Sequence, residues 1–129
     1  MIGASWQLHK AEFARLKVRY VLIGGHAVNL YSDPRFTDDM DFLVHGDDLE
    51  KAGRPLLEMG YRVAQRTTHF TQYEGPLQVQ GIVDIQHGSR KYGTEMIKRS
   101  RWFRFPETNV RIPVVGPEDL IGLKIVAIA

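Results

Sequence analysis

Two aspartates separated by a single residue, Asp39-Met40-Asp41, lead directly into the apolar run Phe42-Leu43-Val44, and few folds tolerate that arrangement. Alternate residues of a strand face the same way. Asp39 and Asp41 therefore share one face, with Cα atoms ~6.5–7 Å apart, while Met40 and Phe42 point to the other, into a core. Carboxylates sharing a face repel, so a β-prone segment does not carry them without compensation. A divalent cation compensates well, because Mg2+ takes oxygen ligands, usually one or two carboxylates together with substrate phosphates and water. The same residues also read as an exposed strand start at which Asp38 and Asp39 merely cap, and both readings stand at this point. A one-residue slip that paired Asp38 with Met40 is rejected, since Met40 ligates hard cations poorly.

A further acid, Asp84, interrupts the apolar segment Gly81-Ile82-Val83-Asp84-Ile85-Gln86. A lone carboxylate inside such a strand is costly unless it is paired or binds a metal. On a strand beside Asp39 and Asp41 it completes a three-carboxylate cluster able to hold two metal ions, the arrangement that stabilises both attacking and leaving oxygens in an in-line phosphoryl displacement.

Upstream, Tyr20–Ile23 reads as a short strand that stops at Gly24-Gly25, and His26–Tyr31 as a short helix ended by Ser32-Asp33-Pro34. Two glycines let backbone approach a ligand closely, and the helix behind them offers free N–H groups to an anion; a tight turn explains the glycines equally simply. The remaining pattern gives helices over Ser5–Lys17, Asp47–Met59 (kinked near Gly53 and Pro55) and Thr94–Arg101, and strands over Met40–Val44, Tyr61–Gln65, His69–Tyr73, Val79–Gln86, Trp102–Phe105 and Val110–Val115. Gly116-Pro117-Glu118-Asp119 opens a last helix, with proline at its first position and acids at the positive end of its dipole. The expected fold is α+β: a small mixed β-sheet with helices packed mainly on one face.

No repeat or linker divides the 129 residues, so they make a single domain. The absence of Cys excludes disulfide scaffolds, thiolate zinc sites and cysteine nucleophiles. No apolar run is long enough to span a membrane and no signal peptide opens the chain, so the expectation is a cytoplasmic protein with no membrane partner. The formal charge of +2 is distributed unevenly: seven acids and only Arg35 as a base lie between Asp33 and Glu50, whereas six bases and only Glu95 as an acid lie between Arg90 and Arg104. Such a split serves cations on one side and phosphates on the other, or simply makes two solvated faces.

The run GGHAVNLYSDPRFTDDMDFLV resembles the signature of the polymerase-beta-like nucleotidyltransferase superfamily. It is particularly similar to the minimal branch that includes abortive-infection and type IV toxin–antitoxin nucleotidyltransferases. Gly24, Gly25, Arg35, Thr37, Asp39, Asp41 and Asp84 match that pattern position by position, with firm motifs over roughly Tyr20–Gln86. The resemblance implies Mg2+-dependent transfer of NMP from an NTP, with two ions, to an acceptor that is RNA, protein or a small molecule, in a toxin-like setting. Gly24 and Gly25 would cradle the β,γ-phosphates, Asp39 and Asp41 would hold the ions, and Asp84 would ligate the catalytic ion and help deprotonate the acceptor hydroxyl. Arg35 and Thr37 would touch phosphate or sugar, with Arg35 equally suited to neutralising Asp33 or Asp39. Lys124, on the last helix, would reach a phosphate or else snorkel from an apolar surface.

In this family the catalytic domain is commonly followed by a helical region, and this chain is expected to be a fragment lacking it. The nearly all-apolar helix from Leu120 to Ala129 must then be covered by such a region, by an antitoxin or by a second copy of the chain. Of His9, His26, His45, His69 and His87, none has zinc-site spacing and at most one is functional. Arg101-Trp102-Phe103-Arg104-Phe105 reads as a strand alternating between core and solvent, or as a platform for single-stranded RNA. A catalytically inactive module of the same fold, serving binding or regulation, is the alternative to the enzyme; the intact acid triad favours the enzyme.

Overall fold

The computed structural model describes residues 10–31, 39–77, 81–89, 91–104 and 109–128, with side chains as far as residue 123. A first helix, α1, includes residues 10–15; the expected start of that helix at Ser5 lies outside the described residues. There follow β1 (Tyr20–Ile23), α2 (Gly24–Tyr31), β2 (Met40–His45), a 3-10 turn (Gly46–Asp48), α3 (Leu49–Glu58), β3 (Arg62–Arg66), β4 (Phe70–Glu74), β5 (Ile82–Gly88), α4 (Tyr92–Lys98), β6 (Arg101–Arg104), β7 (Arg111–Val114) and α5 (Pro117–Ile128). The strands form one mixed sheet in the order β3-β4-β5-β2-β1-β7-β6, with β2–β5 and β1–β7 parallel and the other neighbours antiparallel. The α+β class expected from the sequence is what the chain adopts.

Sequence explains why β1 and β2 sit centrally. A strand covered on both faces must be apolar almost throughout, and every residue of β1 and all of β2 except Asp41 are buried. Phe13 of α1 packs edge-on to Tyr20 and Phe42 at centroid distances of 4.9 and 5.7 Å, which anchors α1 on the face that these two residues share. α3 covers the same face further along. The Tyr73 hydroxyl occupies the space where a Cβ of Gly53 would stand, so the helix reaches β4 because residue 53 has no side chain. The opposite face carries Asp41 and Asp84.

Several element boundaries differ from the sequence expectation for local reasons. α2 begins at Gly24 rather than His26, because Gly24 takes a φ of +72° that turns the chain at once from strand to helix. The segment expected as one helix from Asp47 is divided. His45 accepts the Asp47 N–H at its Nδ1 (3.1 Å) and caps a 3-10 turn, and the Asp48 carboxylate is held by Arg19, through its backbone N–H (2.9 Å), Nε (2.8 Å) and Nη2 (3.1 Å). β5 begins at Ile82 because Gly81, at φ +63°, closes a turn by accepting the Gly75 N–H (3.0 Å); part of the expected strand start, residues 79–80, lies outside the described residues. α4 starts at Tyr92, whose N–H is taken by Ser89 Oγ (3.0 Å). Among the described residues no helix is long and apolar enough to cross a membrane.

Candidate active site

β2 and β5 run parallel in a register that sets Asp41 beside Asp84. Ile23 is opposite Asp41 on β1, and Gln72 is opposite Asp84 on β4. Ile23, Asp41, Asp84 and Gln72 therefore form one row across four strands, all facing the same way. Neighbouring strands lie about 4.8 Å apart, so the two carboxylates crowd each other. Both aspartates are half-buried, and Asp84 Oδ1 is buried with no hydrogen-bond partner among the described residues. The Asp41 carboxyl is pushed up to about 7, first by burial, then by the charge and hydrogen bond of Asp84, and last by the charge of Asp39. That displacement corresponds to a penalty on the order of 4 kcal/mol for ionising Asp41 in the absence of a cation.

Gly24, the hinge between β1 and α2, lies directly against this pair: a Cβ there would run into Asp41 Oδ2. Its positive φ and its lack of a side chain are thus both needed, one for the turn and one for the carboxylate. Gly25 follows it in the first turn of α2, where helix N–H groups lack intrahelical partners. Asp39 sits half-buried just before β2 begins. Arg35 and Thr37 lie outside the described residues. Lys124 belongs to α5, which packs against α2, but its side chain is likewise outside the description.

The row opens into a cleft of about 510 Å3 lined by Ile23, Asp41, His69, Phe70, Gln72, Asp84 and Gln86. Sequence reasoning singled out Asp41 and Asp84, and His69 as one of five histidines; it did not single out Phe70, Gln72 or Gln86. Their signal was the alternation in Phe70-Thr71-Gln72 and Asp84-Ile85-Gln86, which becomes informative only once the register between strands is known. Two other histidines have structural duties. His45 caps the 3-10 turn, and His87 is fixed by Thr68 O at Nδ1 (3.0 Å) and Thr71 Oγ1 at Nε2 (2.9 Å). His26 lies in α2, and His9 is outside the described residues. In β6, Phe103 packs on Tyr31 (5.2 Å) while Trp102 is 56% exposed, the alternation expected of that strand. A second cavity, of about 420 Å3, lies on the other face of the sheet beneath α3 and is lined by Gly53, Thr71, Tyr73, Ile85 and His87 among others; it holds no carboxylate pair.

The donor set fits a hard divalent cation. Two carboxylates are pressed together, one oxygen has no donor among the described residues, and burial together with Asp84 pushes the Asp41 carboxyl up, a cost that a bound Mg2+ offsets. Among the described residues no group of three or more His, Asp or Glu side chains is arranged as a ready metal cage; the carboxylates that the register places side by side are two, with Asp39 at the strand entrance.

A model of the family described as nucleotidyl transferase AbiEii toxin, type IV toxin–antitoxin system, matches residues 8–129. A search of curated proteins finds no match. Among solved structures, the antibiotic-resistance factor ANT(2'')-Ia is 15% identical with a TM-score of 0.73, over 96% of this chain and 70% of that one. The lincosamide antibiotic adenylyltransferase LnuA is 17% identical with a TM-score of 0.65, over 92% and 82%. An antigenic nucleotidyltransferase-like protein from Paracoccidioides brasiliensis is 16% identical with a TM-score of 0.58, over 95% and 65%. At these identities the likeness is one of fold.

Proposed function

The chain belongs to the AbiEii nucleotidyl transferase toxin family of type IV toxin–antitoxin systems, and from that premise we propose that its cleft moves NMP from an Mg2+-bound NTP to an acceptor hydroxyl, releasing pyrophosphate. The observation that carries this reading is the register pairing of Asp41 with Asp84, at which Asp41 is pushed up to about 7. A chain keeps such a pair where a cation offsets it.

In this reading Asp41 and Asp84, with Asp39 at the strand entrance, hold Mg2+, which when bound neutralises the triphosphate and the departing pyrophosphate. The backbone of Gly24 and Gly25 receives the β,γ-phosphates, and the bare glycine backbone lets them come close to Asp41. Arg35, Thr37 and Lys124 are proposed contacts to phosphate or sugar. As the acceptor oxygen bonds to the α-phosphorus, the bond from that phosphorus to the bridging oxygen breaks, and pyrophosphate leaves with the electron pair. The hydroxyl proton passes to Asp84. Positioning and charge neutralisation carry most of the rate in such transfers, which suits a site with few other functional groups.

The test is thermal melting with Mg2+ and each NTP in turn. Wild type gains melting temperature with Mg-NTP and not with NTP in EDTA, and Asp41→Asn abolishes the gain. A wild type indifferent to every Mg-NTP leaves the fold serving as a binding module instead.

A further inference from the structure

We infer that the β4 side of the cleft is the acceptor subsite and that it takes a neutral, hydroxyl-rich group, a sugar hydroxyl, held by Gln72 and Gln86. This rests on the nucleotidyl-transfer reading of the same site and names its second substrate. The row has two ends. At one, Asp41 lies against Gly24 and the first turn of α2, where a triphosphate meets free N–H groups. At the other, Asp84 is followed by Gln72, its register partner on β4. The attacking hydroxyl must approach the α-phosphorus from the side opposite the leaving pyrophosphate, so with the phosphates at α2 it arrives over β4.

The chemistry of that end selects among acceptors. Beyond Asp41 and Asp84 the described lining consists of Ile23, His69, Phe70, Gln72 and Gln86. Gln86 is the register partner of Phe70, so the two amides and the ring stand on neighbouring positions of one face. Each amide offers two donors and a carbonyl acceptor, the complement of hydroxyls that both donate and accept. The Phe70 ring offers an apolar wall of the kind on which a sugar's C–H face rests. A polycationic acceptor calls instead for carboxylates not already engaged. Glu74, the next residue of β4 on that face, is bonded to Arg62 (2.9 Å). Asp41 and Asp84 are the pair that the cation engages. Gln72 and Gln86 are accordingly substrate-binding residues that set acceptor choice, and they leave nucleotide binding to the α2 end.

The experiment incubates purified protein with Mg2+, labelled NTP and cell extract. The extract is divided by a cation exchanger and by a low-molecular-weight filter, and the Mg-NTP melting shift is recorded for each variant. Acceptor activity is expected in material that passes both the cation exchanger and an anion exchanger run in parallel, in the filtrate if the sugar is free and in the retentate if it is carried on a larger neutral molecule. Activity held on the anion exchanger overturns the neutral acceptor. Gln72→Ala and Gln86→Ala are each expected to keep the Mg-NTP melting shift and to need about tenfold more of the active extract fraction for the same rate of labelling, the worth of one well-made hydrogen bond, with Gln72→Asn recovering part of the loss. Acceptor activity retained on the cation exchanger, or transfer unchanged in both alanine variants, overturns the inference while leaving the transferase reading intact. A wild type that neither labels extract nor shifts with Mg-NTP defeats both together.

Discussion

Asp41 and Asp48 lie seven residues apart and respond to pH with opposite signs. Burial and Asp84 raise Asp41 to about 7, so the unfolded chain gives up this proton before the folded one does. The contribution is a stability that falls as pH rises from about 4 to about 7 and stays lower above that. Asp41→Asn removes it: without metal, at pH 8, the variant should melt higher than wild type, by up to a few kcal/mol in unfolding free energy. The difference should vanish at pH 4, and thermal melts across that range check it. Mg2+ should reverse the order at high pH by stabilising wild type alone. Asp48 behaves conversely. Arg19 holds its carboxyl down at about 2, so its contribution is full above about 4 and is lost as pH falls through 2. Its side chain is buried while that of Arg19 is half in water, which screens the pair; Asp48→Ala should cost about 1–2 kcal/mol at pH 7, measured by urea unfolding. Gly24→Ala should fail at both structure and function. It places a Cβ at φ +72° against Asp41 Oδ2, so melting temperature should fall by the equivalent of about 1–3 kcal/mol and the Mg-NTP shift should be lost with it.

Elements were legible from sequence where hydrophobic pattern and punctuation agree, and illegible where a contact distant in sequence decides. Tyr20–Ile23 was readable as a strand because four buried apolar residues end at a glycine pair, and α5 because Pro117, Glu118 and Asp119 open it. The break between the 3-10 turn and α3 was not, because Arg19, 29 residues earlier, pulls Asp48 out of the helix. For the site, the pairing of two carboxylates could be anticipated, since each acid was expensive in its own strand. Nothing local in Phe70-Thr71-Gln72 distinguishes a cleft wall from an ordinary edge, so β4's part in the site waited for the antiparallel register with β5. Arg35 and Thr37 matched a motif but carry no geometry here, being outside the described residues.

At the scale of the whole molecule, the sheet order separates rigidity from exposure. β1 and β2 are flanked on both sides and buried on both faces, whereas β3 closes one edge with all five residues exposed and with its pairing to β4 irregular between Val63 and Gln65. A bulged, exposed edge resists adding a further strand and opens more readily than the centre. Amide hydrogen exchange should therefore show β1, β2 and β5 protected to the global unfolding limit and β3 exchanging by local opening, several orders of magnitude faster. The carboxylates sit on two of the protected strands, so their spacing is set by the most stable part of the fold, as a site that must present charge at fixed positions requires. Adding Mg-NTP should slow exchange in α2 and leave β3 unchanged, because the triphosphate is received at the α2 end of the row and β3 lies beyond β4. Protection that appears instead in β3, with α2 unaffected, would place the nucleotide at the wrong end of the cleft and reverse the assignment of its two halves.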